Sequence, residues 1–171
     1  MKILRNFLIL FGMLLVVGVV NRDILRKEDT LANGRLVLLE LRPVDPRSLF
    51  QGDYMLLRYA ATTFPPAGTI DAMPRRGVLV LQLDDGGIGR FKRIDDGSPL
   101  AANEARMRYK SQHWQAELRL GAEAFFFQEG DAEIYANARF GMLRIDPSGN
   151  SILIGLADKD RRQLGRPAAT D

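Results

Sequence analysis

The run Phe7–Val20, FLILFGMLLVVGVV, holds no charged or polar side chain. A helix that is apolar all round must be covered on every side, by protein or by lipid. The run is short for a bilayer crossing, which takes about 20 residues. Ile3 and Leu4 extend it, and Lys2 and Arg5 can snorkel to the headgroups along their alkyl stems. A cleavable leader needs small residues in A-x-A-like spacing, and around Gly18 to Asn21 that spacing is missing. Residues 1–21 therefore read as an uncleaved signal anchor, a single transmembrane helix, rather than a cleaved leader or a buried core helix. Lys2 and Arg5 on one side, against Arg22, Arg26 and Lys27 on the other, leave the positive-inside count undecided. A short basic N-terminus before an export-like segment favours a single-pass protein of the inner (cytoplasmic) membrane, its domain facing the periplasm or cell exterior.

Residues 22–34 form a charged connector in which Ile24, Leu25 and Leu31 allow the helix to continue until Asn33-Gly34 ends it. From Arg35 the period changes to two. Val37, Leu39 and Leu41 share one face, and so do Leu79, Leu81 and Leu83. Asp84-Asp85-Gly86-Gly87 reads as a hairpin turn before the strand Ile88 to Ile94. Arg106, Arg108 and Lys110 alternate with Met107 and Tyr109, and Leu118 and Leu120 follow on the next strand, which makes a hairpin with a basic outer face. Helical spacing returns at Ile134, Tyr135 and Ala138, with Gly130 or Asp131 at the N-cap. A last hairpin turns at Pro147 to Asn150. The expected fold is mainly β with one short helix: a compact antiparallel barrel or sandwich over residues 35–158, behind the transmembrane helix, with 159–171 as a frayed polar tail.

The composition narrows the function classes. A chain of 171 residues suits one domain plus an anchor. Its formal charge of +3 is too small for a dedicated nucleic-acid binder. Having no cysteine, it has no disulfide framework, thiolate metal site or Cys nucleophile. The single histidine, His113, lies between two strands, where a solvated side chain is the simpler reading than a triad or metal ligand. Asp84-Asp85 and Asp95-Asp96 stand beside glycines, so turn chemistry accounts for them. Neither a cofactor nor a metal is expected.

The stretch Gly52–Tyr59, GDYMLLRY, carries the most information. Asp53, Met55, Leu57 and Tyr59 fall on one face, which should be core after Asp53; Tyr54, Leu56 and Arg58 fall on the other. Gly52, Asp53, Tyr54, Leu57 and Tyr59 fit every fixed position of G-D-Y-x-x-L-x-Y, and the chain resembles the GDYXXLXY family of bacterial membrane-anchored proteins. The lead-in DPRSLFQ (Asp45 to Gln51) and the block FFFQEGDAEIYANARF (Phe125 to Phe140), with Glu129-Gly130 at its centre, support the resemblance, which covers roughly residues 35 to 157. It implies an extracytoplasmic domain and, since relatives often occur beside or fused to multi-pass membrane proteins, an integral membrane protein as partner. It implies no reaction. Two readings of the motif stand side by side. In one, Gly52 makes a turn, Asp53 caps it, and Leu57 and Tyr59 fill the core. In the other, Asp53, Tyr54 and Arg58 form a recognition surface.

The expected function is thus a binding or assembly module. The alternative is a signal-peptidase-like Ser/Lys hydrolase, degenerate or active. Leu49, Gly52 and Asp53 resemble part of the type I signal peptidase motif, and FKRI (Phe91 to Ile94) resembles the segment of its lysine base, which casts Lys92 in that role. The position of the matching nucleophile is Val44, which has no hydroxyl; Ser48 is the nearby substitute. A third use is contact of Arg106, Arg108 and Lys110, near Arg90, Lys92 and Arg93, with anionic lipid headgroups.

Overall fold

A computed structural model describes residues 2–42, 54–60, 63–70, 73–112, 117–128 and 130–165. The apolar run and the connector form one helix, α1 (Lys2–Asn33). Its apolar side chains from Ile3 to Val20 are all more than half exposed, so the domain does not cover it, and it is long and apolar enough to cross a membrane. The helix stops at Gly34, whose N–H bonds the Thr30 carbonyl at 2.9 Å. There the chain turns directly into β1 (Arg35–Glu40).

The remaining elements are β2 (Tyr54–Leu56), α2 (Ala67–Ile70), β3 (Arg76–Leu83), β4 (Gly89–Ile94), β5 (Glu104–Gln112), β6 (Glu117–Arg119), β7 (Ala124–Phe126), α3 (Ala132–Tyr135), β8 (Phe140–Ile145), β9 (Ser151–Ala157) and β10 (Gln163–Leu164). The fold is mainly β and antiparallel, with one curled half-barrel. Among the described residues, three sheets run in the orders β1-β8-β9-β10, β4-β3-β5-β6 and β2-β7. Isolated bridges and single hydrogen bonds stitch them together. Leu38 N–H bonds the Gly87 carbonyl at 2.9 Å, Arg42 N–H the Arg58 carbonyl at 2.7 Å, and Arg108 N–H the Gly149 carbonyl at 2.9 Å.

Period-two alternation builds the core. Val37, Leu39 and Leu41 point inward from the first strand, Leu79, Leu81 and Leu83 from β3, and Met107 and Tyr109 from β5; all are buried. Leu143, Ile145 and Leu156 close the cluster from the last hairpin. The turn Asp84 to Gly87 forms as expected, with Asp84 Oδ1 accepting the N–H groups of Gly86 and Ile88 at 2.9 Å each. Asp146 does the same for the β8–β9 turn, accepting from Ser148 and Asn150 at 2.8 and 3.0 Å.

Two expectations need correction. The segment after residue 158 is not simply a frayed tail: β10 pairs with β9, Gln163 opposite Ala157 and Leu164 opposite Leu156. Its next residue, Gly165, has φ +70°, and a Cβ there would collide with the Tyr135 hydroxyl. Among its described residues the domain also has two short helices where one was expected: α2 precedes β3, and α3 follows β7.

Candidate functional site

Motif residues Tyr54, Leu57, Arg58 and Tyr59 are described; Gly52, Asp53 and Ser48, along with Glu129, His113 and the Asp45–Gln51 lead-in, lie outside the described residues. The two faces separate as the alternation predicts. Met55, Leu57 and Tyr59 are buried at 3 to 4 % exposure. Tyr54 is half-buried, while Leu56 and Arg58 are exposed.

The motif and the second block are one structural unit. β2 pairs with β7, Tyr54 opposite Phe126, Met55 opposite Phe125 and Leu56 opposite Ala124. Leu57 N–H bonds the Glu123 carbonyl at 2.7 Å, and the buried Tyr59 hydroxyl donates to the Ala122 carbonyl. Burial pushes the Tyr59 phenol well above its ordinary range, and the neighbouring Glu123 carboxylate adds to the shift. Glu123 in turn accepts the N–H groups of Leu120 and Gly121, which fixes the turn before β7. Leu57 and Tyr59 therefore join the motif strand to the segment that leads into β7.

On the inner side of β7, Phe125 and Phe127 pack against Tyr135 of α3, with ring centroids 5.0 and 5.4 Å away. Gly130, at φ +93°, supplies the left-handed turn before α3, and Asp131 stands at the N-cap without a side-chain capping bond. The outer side is different. Tyr54 and Phe126 lie with centroids 5.8 Å apart, but Phe126 is 73 % exposed and Leu56 51 % exposed. Tyr54, Leu56 and Phe126 thus form an apolar face on a two-stranded ribbon, open to solvent and framed by Arg58.

The basic strands sort into two ends. At one end three cations have a carboxylate. Lys92 Nζ lies 2.8 Å from Glu104, Arg93 lies 2.6 Å from Asp96, and Arg106 Nε lies 2.8 Å from Asp95. The Arg106 hydrogen bond holds the Asp95 carboxyl below its ordinary range, and the Lys92 contact does the same for Glu104. Val80 lies in the same cross-strand row as Arg93 and Arg106 yet is fully buried, because arginine stems can cover an apolar side chain while their heads stay wet. Lys92 is ion-paired and 41 % exposed, the reverse of the desolvated pocket that a general-base lysine requires. Its surroundings give the hydrolase reading no support.

At the other end, Arg76 faces Lys110 across β3 and β5, and Lys110 faces Arg119 across β5 and β6. Arg76 and Arg119 were not singled out in the sequence, because the registers that align them depend on hairpin geometry. Among the described residues no three His, Asp or Glu side chains are grouped to hold a metal.

No curated protein and no solved structure matches the chain. The model of the family described as GDYXXLXY protein matches residues 16–156, a span that takes in the end of the apolar run, the motif strand, the β7–α3 block and the closing hairpin. The chain belongs to the GDYXXLXY family.

Proposed function

We propose that this protein is a membrane-anchored docking module, tethered by α1, that binds an integral membrane protein through the outer face of the β2–β7 ribbon. The observation that carries the reading is the exposure of Phe126 and Leu56 beside Tyr54. Large apolar side chains grouped on one small sheet face are a common mark of an interaction site, and aromatic residues are the usual anchors of such contacts.

The anchor chooses the kind of partner. From Val20 to Thr30, where the helix meets the domain, α1 rises about 15 Å. A domain held that close to a bilayer meets proteins of the same membrane at high effective concentration. The reading places the domain outside the cytoplasm, on the inner membrane of a bacterial envelope.

A photoreactive residue replacing Phe126 in the full-length chain, in its native membrane, tests this. One recurrent integral membrane adduct is expected, lost when Leu56→Asp is added. The reading is overturned if the folded protein yields no specific adduct, or if Leu56→Asp leaves the adduct unchanged.

A further inference from the structure

We infer that the open end of the β3-β5-β6 sheet is a binding site for a phosphate-bearing anion. Arg76, Lys110 and Arg119 stand in one cross-strand row. All three are exposed, and none is within ion-pair distance of a carboxylate among the described residues. With Val78 and Arg108 they line a hollow of about 450 Å³. Arg108 is held at its edge by the bond from Nε to the Ser148 carbonyl at 3.0 Å.

Like charges directly opposite one another on neighbouring strands destabilise a sheet. The same sheet avoids that cost at its other end, where Asp95, Asp96 and Glu104 answer Arg93, Arg106 and Lys92. Among the described residues the row Arg76–Lys110–Arg119 has no such answer, so an anion from outside would supply the missing charge. Strands about 4.8 Å apart bring three cationic heads within reach of one tetrahedral group. Two of the three are arginines, whose planar forks match phosphate oxygens in pairs. The Val78 floor and the alkyl stems around it lower the local polarity and strengthen each contact. The site lies on a different sheet from the β2–β7 face and does not depend on the docking reading.

Free phosphate and the phosphate of a lipid headgroup share this chemistry, and the test separates them. The full-length chain is placed in phosphatidylcholine nanodiscs. Inorganic phosphate is titrated in by calorimetry, with chloride holding the ionic strength constant. In a parallel arm, hydrogen exchange over β3 and β6 is compared between phosphatidylcholine and phosphatidylglycerol nanodiscs. Phosphate binding that weakens tenfold or more in Arg76→Gln/Lys110→Gln/Arg119→Gln, and not in Arg90→Gln, assigns a soluble anion. Protection that appears only in phosphatidylglycerol, and is lost in the same triple variant, assigns a headgroup. Neither response, or responses equal in the triple variant and the parent, overturns the site. The single variant Lys110→Gln removes the central charge with the least change to the sheet. It should show at least a threefold loss in whichever arm responds, and an unchanged response there overturns the site even if the triple variant fails to fold.

Discussion

The Tyr59 hydroxyl donates its hydrogen bond to the carbonyl of Ala122, a residue 63 positions further along the chain. Both groups are buried, and Tyr59 is 4 % exposed. Removing the donor leaves a buried carbonyl without this partner, which costs the desolvation of that group rather than the small net value of a hydrogen bond. Tyr59→Phe should therefore lower stability by about 1–3 kcal/mol. Urea unfolding of the full-length chain in detergent measures it; a change below a few tenths would mean that the Ala122 carbonyl finds water instead.

Tyr109 offers the opposite case with the same chemistry. Its ring is buried, but its hydroxyl has no hydrogen-bond partner among the described residues. Tyr109→Phe deletes an unsatisfied polar atom and leaves the ring packed over Gly77, where a Cβ would come 2.7 Å from the ring carbon Cε1. The variant should be as stable as the parent, or more stable by up to about 1 kcal/mol. Equal destabilisation of the two Tyr→Phe variants in the same urea series would remove the distinction drawn between them.

Alkaline pH acts on the buried tyrosines with one sign. Burial raises the folded-state pKa of Tyr59, Tyr109 and Tyr135 above the ordinary value of 10.0. Above that pH the unfolded chain loses phenolic protons that the folded chain keeps, so the unfolded state binds fewer protons and stability falls as pH rises. One tyrosine that stays protonated in the fold contributes a slope of about 1.4 kcal/mol per pH unit. Unfolding midpoints measured from pH 8 to 11.5 should be flat below pH 10 and fall beyond it. The fall should be shallower in Tyr59→Phe; an unchanged slope would remove Tyr59 from the effect.

Acid acts on the carboxylates of the paired end. The Arg106 bond lowers Asp95, the Ser98 hydroxyl and N–H bring Asp96 to about 2, and the Lys92 bond lowers Glu104. With folded-state values below the unfolded ones, their contribution is present above the ordinary values of 3.8 and 4.5 and is lost as pH falls through the lowered ones. Stability should decline from about pH 4.5 downward. Added salt should weaken this limb most through Asp96, the most exposed of the three carboxylates. Glu104→Gln should make the decline gentler, and an acid limb identical to that of the parent would exclude Glu104 from it.

What the sequence made legible was local. The apolar run, the inward rows of Leu79, Leu81 and Leu83, and the turn at Asp84 to Gly87 follow from periodicity and turn chemistry, which act over a few residues. The inward face of the motif was legible in the same way. What it packs against was not, because Leu57 meets Glu123 and Tyr59 meets Ala122 only through long-range pairing. Val80 is buried on a face lined with arginines, which alternation alone reads as exposed. The pairing of Lys92 with Glu104, and the alignment of Arg76 with Lys110 and Arg119, need the sheet registers. β10 was missed because Gln163 and Leu164 lie among charged residues and have no partner until β9 is in place.

The joint between helix and domain makes the last prediction. Thr30, 3 % exposed, places its hydroxyl 3.4 Å from Asp146 Oδ2, and Arg144 donates to the Gly34 carbonyl at 2.8 Å. Gly34 is the pivot: a Cβ there would collide with the Thr30 carbonyl and lie 3.2 Å from the Ile145 nitrogen. Both obstacles are backbone, so neither can swing aside as a side-chain tip would. Gly34→Ala must shift either the last turn of α1 or the end of β8, at a cost of about 1–3 kcal/mol. Because the strain falls at the joint, it should loosen the stalk before it unfolds the sheets. Limited proteolysis of the full-length chain in nanodiscs should then show faster cleavage between Arg26 and Arg35 in Gly34→Ala than in the parent, with the β domain released whole. Cleavage at the parent's rate, with an unchanged unfolding midpoint, would mean that the joint tolerates a side chain and that the domain is not rigidly carried by α1.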